Sequence, residues 1–276
     1  MYYSINLDNH YVEKIGDIYS LDTVLSPDES KIAFSYFEGI GGIKGIKILT
    51  LDTKKTIKLV EGDVSNPSWH PSNEKIAFDK ITNDERYLPY KKTFDIYSIN
   101  IDGTNEKRLT DLEENEYGPA WSPDGTRIAY YTTNFEGIEL WIMDSDGYNK
   151  KKVTSVRPNT KESLEPKPIY LYYMDITSAI INWDNDGEKI TYSVSVGDTA
   201  GLGVDSGIYL VNSDGSNKQL ILDSKSSYPY IWNGHLSFAP DGSKLAFTKT
   251  ISNSNPNESG VWRYSQDIWV GELCII

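Results

Sequence analysis

Short hydrophobic runs separated by turn-forming residues recur along the chain, and within many of them apolar and polar positions alternate. Ile46-Lys-Ile-Leu-Thr-Leu-Asp52 and Ile208-Tyr-Leu-Val-Asn-Ser-Asp-Gly215 are two examples. Alternation with a period of two residues is typical of β-strands that bury one face. No window shows the apolar stripe with a 3.6-residue period that marks an amphipathic helix. The pattern therefore predicts an all-β protein.

One sequence unit recurs five times without a gap. Each copy has a bulky apolar residue, a turn of the Pro-Asp-Gly type, a basic residue and a short apolar strand, as in Trp121-Ser-Pro-Asp-Gly-Thr-Arg-Ile-Ala-Tyr130. The copies begin at Leu25, Trp69, Trp121, Trp183 and Phe238. A second motif follows each copy, an apolar strand that in three of the five ends in Asp-Gly, such as Leu140-Trp-Ile-Met-Asp-Ser-Asp-Gly147. Both turn types join antiparallel strands, so each unit is predicted to be a four-stranded antiparallel sheet.

The repetition predicts how these sheets are arranged. One small sheet cannot bury both of its faces, whereas several sheets of about 40 to 50 residues set around an axis can, and that arrangement is a β-propeller. We predict a single propeller domain over residues 1–276, in which the bulky residue of each copy fills the space between blades. Five copies favour five blades, and six blades are the alternative. The repeat cores are predicted at 22–59, 66–109, 118–153, 180–221 and 235–273.

The N-terminal segment is predicted to close the ring. Tyr2–Asp8 matches the third strand of a repeat, Ile96–Asp102, and Val12–Ile15 matches a fourth strand. The last repeat stops after its third strand. We therefore expect residues 2–15 to supply outer strands to the blade formed by 235–273, which makes 21 strands in all.

The two motifs together resemble the repeat of the TolB-like β-propeller family, a relative of the WD repeat. The resemblance covers residues 2–273. It implies the propeller fold, and it implies a protein-binding role because the family includes a propeller that contacts an envelope lipoprotein. Propellers with similar repeats also act on polysaccharides or precede serine peptidase domains, so the resemblance leaves other functions open.

Charge and cysteine content narrow the function classes. The chain has 40 acidic and 27 basic residues, a net charge of −13. This balance argues against binding to nucleic acid or anionic membranes and fits a cationic partner or a role in solubility. The lone Cys274 excludes an intrachain disulfide and multi-cysteine zinc sites. No apolar run is long enough to span a membrane, and the N-terminus lacks a secretory signal pattern. The compartment stays open: cytoplasm, or cell envelope, periplasm or exterior if a leader was removed.

The two ends of the predicted blades differ in the length of their connections. The Pro-Asp-Gly and Asp-Gly turns share one end and are short. The connections at the other end are long and unequal: 35–45, 79–94, 131–138, 155–180, 193–207, 222–234 and 248–266. Long loops on a rigid scaffold commonly carry recognition, and Tyr and Trp are frequent hot spots of protein interfaces. The aromatic candidates for partner binding are Tyr87, Tyr90, Tyr228, Tyr230, Trp232, Trp262 and Tyr264.

Polar candidates come from the first strand of each repeat. The residue three positions before the bulky residue is expected to begin this inner strand, near the mouth of the central channel. These residues are Asp22, Asn66, Gly118, Ile180 and His235. Asp22, Asn66 and His235 are candidates for polar contacts with a ligand. Because the set is unequal, it predicts no repeated ring of metal ligands.

No catalytic constellation stands out in the sequence. Gly-x-Ser-x-Gly, His-Glu-x-x-His and phosphate-binding loops are absent, and the chain has three histidines. We predict no catalytic residue, metal site or cofactor, with an ion in the central channel left open. The expected function is a monomeric scaffold that binds a protein or peptide through the long loops, rather than an enzyme. A carbohydrate-binding or polysaccharide-degrading propeller is the first alternative, and a structural repeat of a larger surface protein is the second.

Overall fold

The computed structural model describes residues 2–5, 12–16, 22–38, 43–82, 93–112, 114–134, 137–156, 176–197, 204–224, 230–238, 244–252 and 264–272. Within these ranges every regular element is a β-strand, which confirms the all-β class. No helix in the described part of the chain has the length and hydropathy needed to cross a membrane.

The first half of the chain forms three sheets. The opening hairpin is a two-stranded sheet, β1 (Tyr2–Ile5) and β2 (Val12–Gly16). Two four-stranded sheets follow, each with its strands in sequence order. The first contains β3 (Thr23–Leu25), β4 (Lys31–Glu38), β5 (Ile43–Thr50) and β6 (Thr56–Glu61). The second contains β7 (Val64–Trp69), β8 (Lys75–Thr82), β9 (Thr93–Asn100) and β10 (Lys107–Arg108).

The second half repeats the same plan. The third sheet contains β11 (Asn115–Trp121), β12 (Arg127–Asn134), β13 (Gly137–Asp144) and β14 (Lys151–Val156). The fourth contains β15 (Ile176–Trp183), β16 (Lys189–Gly197), β17 (Val204–Asn212) and β18 (Gln219–Ser224). The fifth has three strands: β19 (Tyr230–Phe238), β20 (Lys244–Ser252) and β21 (Tyr264–Glu272). The predicted four-stranded antiparallel sheet is therefore confirmed for four copies.

The chain divides into two compact units, and each has its own apolar interior. The first unit comprises Met1–Trp121, Gly125–Ile128 and Asp144–Asn149, and the second comprises the remaining residues. The core of the first unit includes fully buried side chains of β4, β5 and β8, among them Ile46 and Phe78. The second unit buries tyrosine and aliphatic side chains of β12, β13 and β16.

The repeated turns are closed by local hydrogen bonds that their sequence dictates. The main-chain N–H of Ser26 donates to Lys31 O at 2.8 Å, and the Asp28 carboxylate accepts from the Ser26 hydroxyl at 2.6 Å and from the N–H of Ser30 at 3.0 Å. These donors lower the pKa of Asp28 to about 2. The glycine position of the motif has positive φ in the four copies whose turns the structure describes, and in the first of them Glu29 adopts it with φ 58°.

Neighbouring sheets contact each other through side chains that the repeats place at equivalent positions. In the first unit, the indole N–H of Trp69 donates to Val24 O at 3.2 Å. Trp69, Trp121 and Trp183 are buried, as expected for residues between blades. Leu25 differs, because it is 51% exposed. The first copy therefore does not fill this position as the tryptophans do.

The Asp-Gly turns of the third and fourth sheets lie against the backbone at the last strand of the preceding sheet. A Cβ placed on Gly147 would lie 2.7 Å from Leu109 O, and one on Gly215 would lie 2.6 Å from Val153 O. Lys107 Nζ donates to the main-chain oxygen of Asp146 at 2.8 Å beside the first of these contacts. Only glycine permits such a close approach, so these glycines have a packing role besides their positive φ.

Candidate functional site

The strands extend further into the predicted loops than the sequence indicated. In each sheet, we call the end at which the first strand begins and the second strand ends the loop-bearing end. It lies opposite the end that carries the Pro-Asp-Gly and Asp-Gly turns. Here β19 begins at Tyr230 and β20 continues to Ser252. The prediction that 222–234 and 248–266 are irregular was therefore wrong for part of each segment. Aromatic and β-branched residues fit a pleated surface, and pairing between strands keeps them extended.

Three of the predicted aromatic residues lie at the loop-bearing end of the fifth sheet. Tyr230 and Tyr264 are both register partners of Ser252, one from each neighbouring strand. Trp232 is paired with Thr250, two positions further along β20. The backbone pairing thus brings these three residues to the same end of the sheet.

The other candidates in this region divide into two groups. His235 lies inside β19, where the register with β20 shifts between Gly234 and Leu236, which is a β-bulge. Tyr87, Tyr90, Tyr228 and Trp262 lie outside the described residues.

The positions three before the bulky residues do not all begin a strand. Asp22 directly precedes β3, but Asn66, Gly118, Ile180 and His235 lie inside their strands. In β7 and β19 the register shifts at these positions and pairing resumes beyond them, whereas in β15 Ile180 pairs regularly with Ser193. Asn66 and Gly118 have φ of 51° and 65°, and each is followed by proline. At Asn66 this combination interrupts the regular ladder between Ser65 and Ser68 without ending it.

In the first sheet, Asp22 pairs with a serine on the neighbouring strand. The Ser35 hydroxyl donates to Asp22 Oδ2 at 3.1 Å, and the Ser35 N–H donates to Asp22 O at 3.1 Å. Asp22 is half-buried, so its carboxylate lies close to the surface.

The second sheet has a buried carboxylate at the corresponding place. Asp79 on β8 is 2% exposed. Its Oδ2 accepts hydrogen bonds from the Ser65 hydroxyl at 3.1 Å and from Asn66 Nδ2 at 3.0 Å. Burial raises the pKa of Asp79 to about 6, and the nearby Asp22 carboxylate acts in the same direction. We refer to Asp22, Ser35, Ser65, Asn66 and Asp79 as the Asp79 cluster.

The equivalent positions in the second unit hold a different arrangement. The Tyr131 hydroxyl lies 3.1 Å from both Ile180 O and Ser193 O, which share it as a donor. Tyr131 follows the buried aromatic residue of β12 just as Asp79 follows Phe78 of β8. A position that is acidic in one sheet thus holds a sheet-bridging hydroxyl in another.

Sequence reasoning found Asp22 and Asn66 but missed Asp79. The available signal was the residue that follows the apolar strand of each copy, which is Ser35, Asp79, Tyr131, Ser193 or Thr248. Asp79 is the acidic member of that set. The hydrogen bonding and the pKa of Asp79 depend on Asn66 and Asp22, which the fold brings close to its carboxylate.

The chemistry of the Asp79 cluster is that of an anionic hydrogen-bonding site. It contains two carboxylates, two hydroxyls and one carboxamide. In the described ranges, no three His, Cys, Asp or Glu side chains are grouped so that they could hold a metal ion. The cluster is therefore suited to binding a positively charged hydrogen-bond donor.

Comparison with known proteins gives a family match. The family model PD40, described as the TolB beta propeller domain, matches residues 8–182. A curated relative, a protein TolB homolog from Chlorobium luteolum, is 29% identical over 126 residues. That match covers 45% of this chain and 26% of the relative, so the chain spans well under two thirds of the relative's length.

Solved structures show the same type of fold. TolB from Acinetobacter baumannii superposes with a TM-score of 0.60 at 14% identity, covering 91% of this chain and 55% of that chain. An oligogalacturonate lyase in complex with manganese gives a TM-score of 0.59 at 14% identity, covering 89% and 67% of the two chains. At such identities the likeness is one of fold.

Proposed function

The chain belongs to the TolB beta propeller domain family, and we propose that it is a non-enzymatic scaffold that holds a protein or peptide partner at the loop-bearing end. The supporting observation is the difference between the two ends of the sheets. The turn ends are closed by local hydrogen bonds, whereas the loop-bearing end of the second sheet carries Asn66 and Asp79 and that of the fifth sheet carries Tyr230, Trp232 and Tyr264. A protein homologous to TolB among the relatives is consistent with a protein partner.

The charge of the chain favours a partner with a basic binding segment. The net charge is −13, and two of the contributing carboxylates, Asp22 and Asp79, belong to the Asp79 cluster. Complementary charge accelerates encounter and selects between partners more than it adds affinity. We therefore expect partner association to slow as ionic strength rises.

The same proposal includes a closed ring of five blades as one monomeric domain. Residues 2–15 would add outer strands to the sheet formed by β19, β20 and β21. Deleting residues 1–16 should then lower the unfolding temperature, and a synthetic peptide of residues 1–16 added in trans should restore it. An unfolding temperature that the deletion leaves unchanged would contradict ring closure.

The binding proposal is tested by quantitative capture of partners from a lysate of the source cells. The variant carries alanine at Trp232, Trp262 and Tyr264, and the matched control is Tyr148→Ala. Tyr148 is an aromatic residue at an Asp-Gly turn and is 68% exposed. We expect the triple variant to lose the captured partner and the control to retain it. Equal capture by all three proteins would reject the loop-bearing end as the binding surface.

Carbohydrate recognition is the alternative that the same aromatic residues would serve, because tyrosine and tryptophan also stack on sugars. A glycan array combined with a hydrolysis screen distinguishes it from protein binding. Saturable glycan binding that the triple variant loses, without any captured protein, would favour this alternative.

A further inference from the structure

One oxygen of the Asp79 carboxylate is buried without a donor. Oδ2 accepts two hydrogen bonds, from Ser65 and Asn66, whereas Oδ1 receives none from another residue that the structure describes. A buried charge is unfavourable unless hydrogen bonds or an opposite charge compensate it. In the free protein the cost of this burial is expressed in the raised pKa of Asp79, and a bound hydrogen-bond donor at Oδ1 would also compensate it.

The neighbouring Asp22 carboxylate makes the ionised form of Asp79 still less favourable. The Asp22 carboxylate is near enough to raise the pKa of Asp79, so the two acids repel each other. Asp22 accepts a hydrogen bond from Ser35 and is half-buried, whereas Asp79 is 2% exposed. Asp22 is therefore the more accessible residue of the pair.

The number of available acceptor atoms discriminates between possible cations. A guanidinium group binds best when its two parallel N–H donors meet both oxygens of one carboxylate. At Asp79 that geometry is disfavoured, because Oδ2 already accepts from Ser65 and Asn66. An ammonium group has three donors on one small atom and can use Oδ1 together with separate acceptors. A metal ion is less suitable, because no three ligating side chains are grouped in the described part of the chain.

We propose that Asp79 and Asp22 form a subsite for a single ammonium group, the tip of a lysine side chain of the bound partner. The inference rests on the proposed function, because it names the chemistry by which the partner is recognised. A lysine side chain fits the difference in burial, since its flexible stem carries a compact charge past Asp22 to Asp79. Asp79 Oδ1 accepts the innermost N–H of the ammonium, and Asp22 pairs with its outward side.

Binding of an ammonium group is linked to the ionisation of Asp79. Asp79 has a pKa of about 6 in the free protein, and an adjacent positive charge favours its ionised form. The ligand should therefore lower this pKa, and affinity should fall as pH decreases through about 6. Among the residues that the structure describes, the groups that act on Asp79 are Asp22 beside the first sheet and Ser65 and Asn66 of β7, and of these Asp22 is the ionisable one.

The direct test uses n-butylammonium chloride as the probe, with the aspartate carboxyl carbons followed by NMR. We expect a saturable shift at Asp79 and a lowered pKa of this group, and weaker effects from guanidinium and tetramethylammonium chloride at equal concentration. Asp79→Asn should weaken binding at least about tenfold, since it removes the charge of a buried pair. The matched control Asp102→Asn removes an exposed turn carboxylate bonded to Thr104 and should bind normally.

Two further results make the test decisive. If Asp79→Asn does not fold, Asp22→Asn replaces it, and we expect about threefold weaker binding because the outer carboxylate is lost. No saturable shift in the wild-type protein, or equal binding by the Asp79→Asn and wild-type proteins, overturns the ammonium subsite.

Capture of the partner separates this inference from the proposed function. If partner capture depends on Trp232, Trp262 and Tyr264 but is unchanged in Asp79→Asn, the scaffold function stands and the lysine subsite is wrong. If butylammonium binds at Asp79 and no partner depends on the loop-bearing end, the subsite stands and the scaffold function fails. If Asp79→Asn loses the partner, and a lysine-to-glutamine change in the partner has the same effect, both the scaffold function and the lysine subsite are supported.

Discussion

A methyl group added at Gly147 tests the docking of one sheet against the next. Gly147 has φ of +92°, and its Cβ would lie 2.7 Å from the main-chain oxygen of Leu109. Gly103 is the matched control, because it occupies the same turn position with φ of +84° and its Cβ would meet nothing within 4 Å. The two substitutions share the backbone strain, and only Gly147→Ala adds a clash with a neighbouring strand.

The magnitude follows from these two contributions. Left-handed backbone conformation costs an alanine about 1–2 kcal/mol in either variant. The clash at Leu109 adds about 1–3 kcal/mol, as overpacking of a well-packed interior does. Gly147→Ala should therefore lower the free energy of unfolding by about 1–3 kcal/mol more than Gly103→Ala. In thermal unfolding, each kcal/mol corresponds to about 2–4 °C for a chain of this size.

Urea unfolding followed by tryptophan fluorescence measures the difference, with Gly215→Ala as a second clashing variant. Gly215 lies against Val153 O as Gly147 lies against Leu109 O, so the two alanine variants should have similar midpoints. Equal midpoints for Gly103→Ala and Gly147→Ala would refute the reasoning. In that case the turn glycines would be needed for their φ alone, and sheet docking would tolerate a side chain.

Three further predictions concern individual side chains. Trp69→Phe should lower the free energy of unfolding by about 1 kcal/mol more than Trp121→Phe in chemical denaturation, because the Trp69 indole donates to Val24 O and the Trp121 indole has no hydrogen-bond partner in the described ranges. Between pH 4 and pH 6 the folded protein keeps a proton on Asp79 that the unfolded chain has released, so stability should fall as pH rises, by about 3 kcal/mol; pH-dependent denaturation of Asp79→Asn should lack this fall, and an equal fall in both proteins would contradict it. The carboxyl carbon of Asp28 should titrate by NMR near pH 2, so its stabilising contribution is present above about pH 4 and is lost as pH falls toward 2; a midpoint near 4 would contradict the hydrogen-bonded turn.

Features encoded by local sequence could be predicted well. In the first copy a serine, an aspartate and a positive-φ residue close the turn through hydrogen bonds between near neighbours. Five copies of this type of turn in the sequence therefore predict five sheets. The glycine position shows the strength of this encoding, because Glu29 and Asn73 adopt the same positive φ.

Features that depend on distant pairing were predicted less well. Tyr230 and Trp232 were assigned to a loop because their local pattern is ambiguous, and pairing with Ser252 and Thr250 of β20 holds them in a strand. Asp79 was missed because its burial results from contacts with residues that lie elsewhere in the sequence. Its hydrogen-bond donor Asn66 precedes it by 13 residues, and Asp22 belongs to another sheet.

Hydrogen–deuterium exchange of the partner-bound protein tests the central claim most directly. If the loop-bearing end is the binding surface, the partner should slow exchange at the beginning of β19 and β21, around Trp232 and Tyr264, and beside Asp22. The turn at Asp144–Asn149 should exchange at the same rate in the free and bound protein. Protection confined to the Pro-Asp-Gly and Asp-Gly turns, with unchanged exchange at the loop-bearing end, would contradict the account.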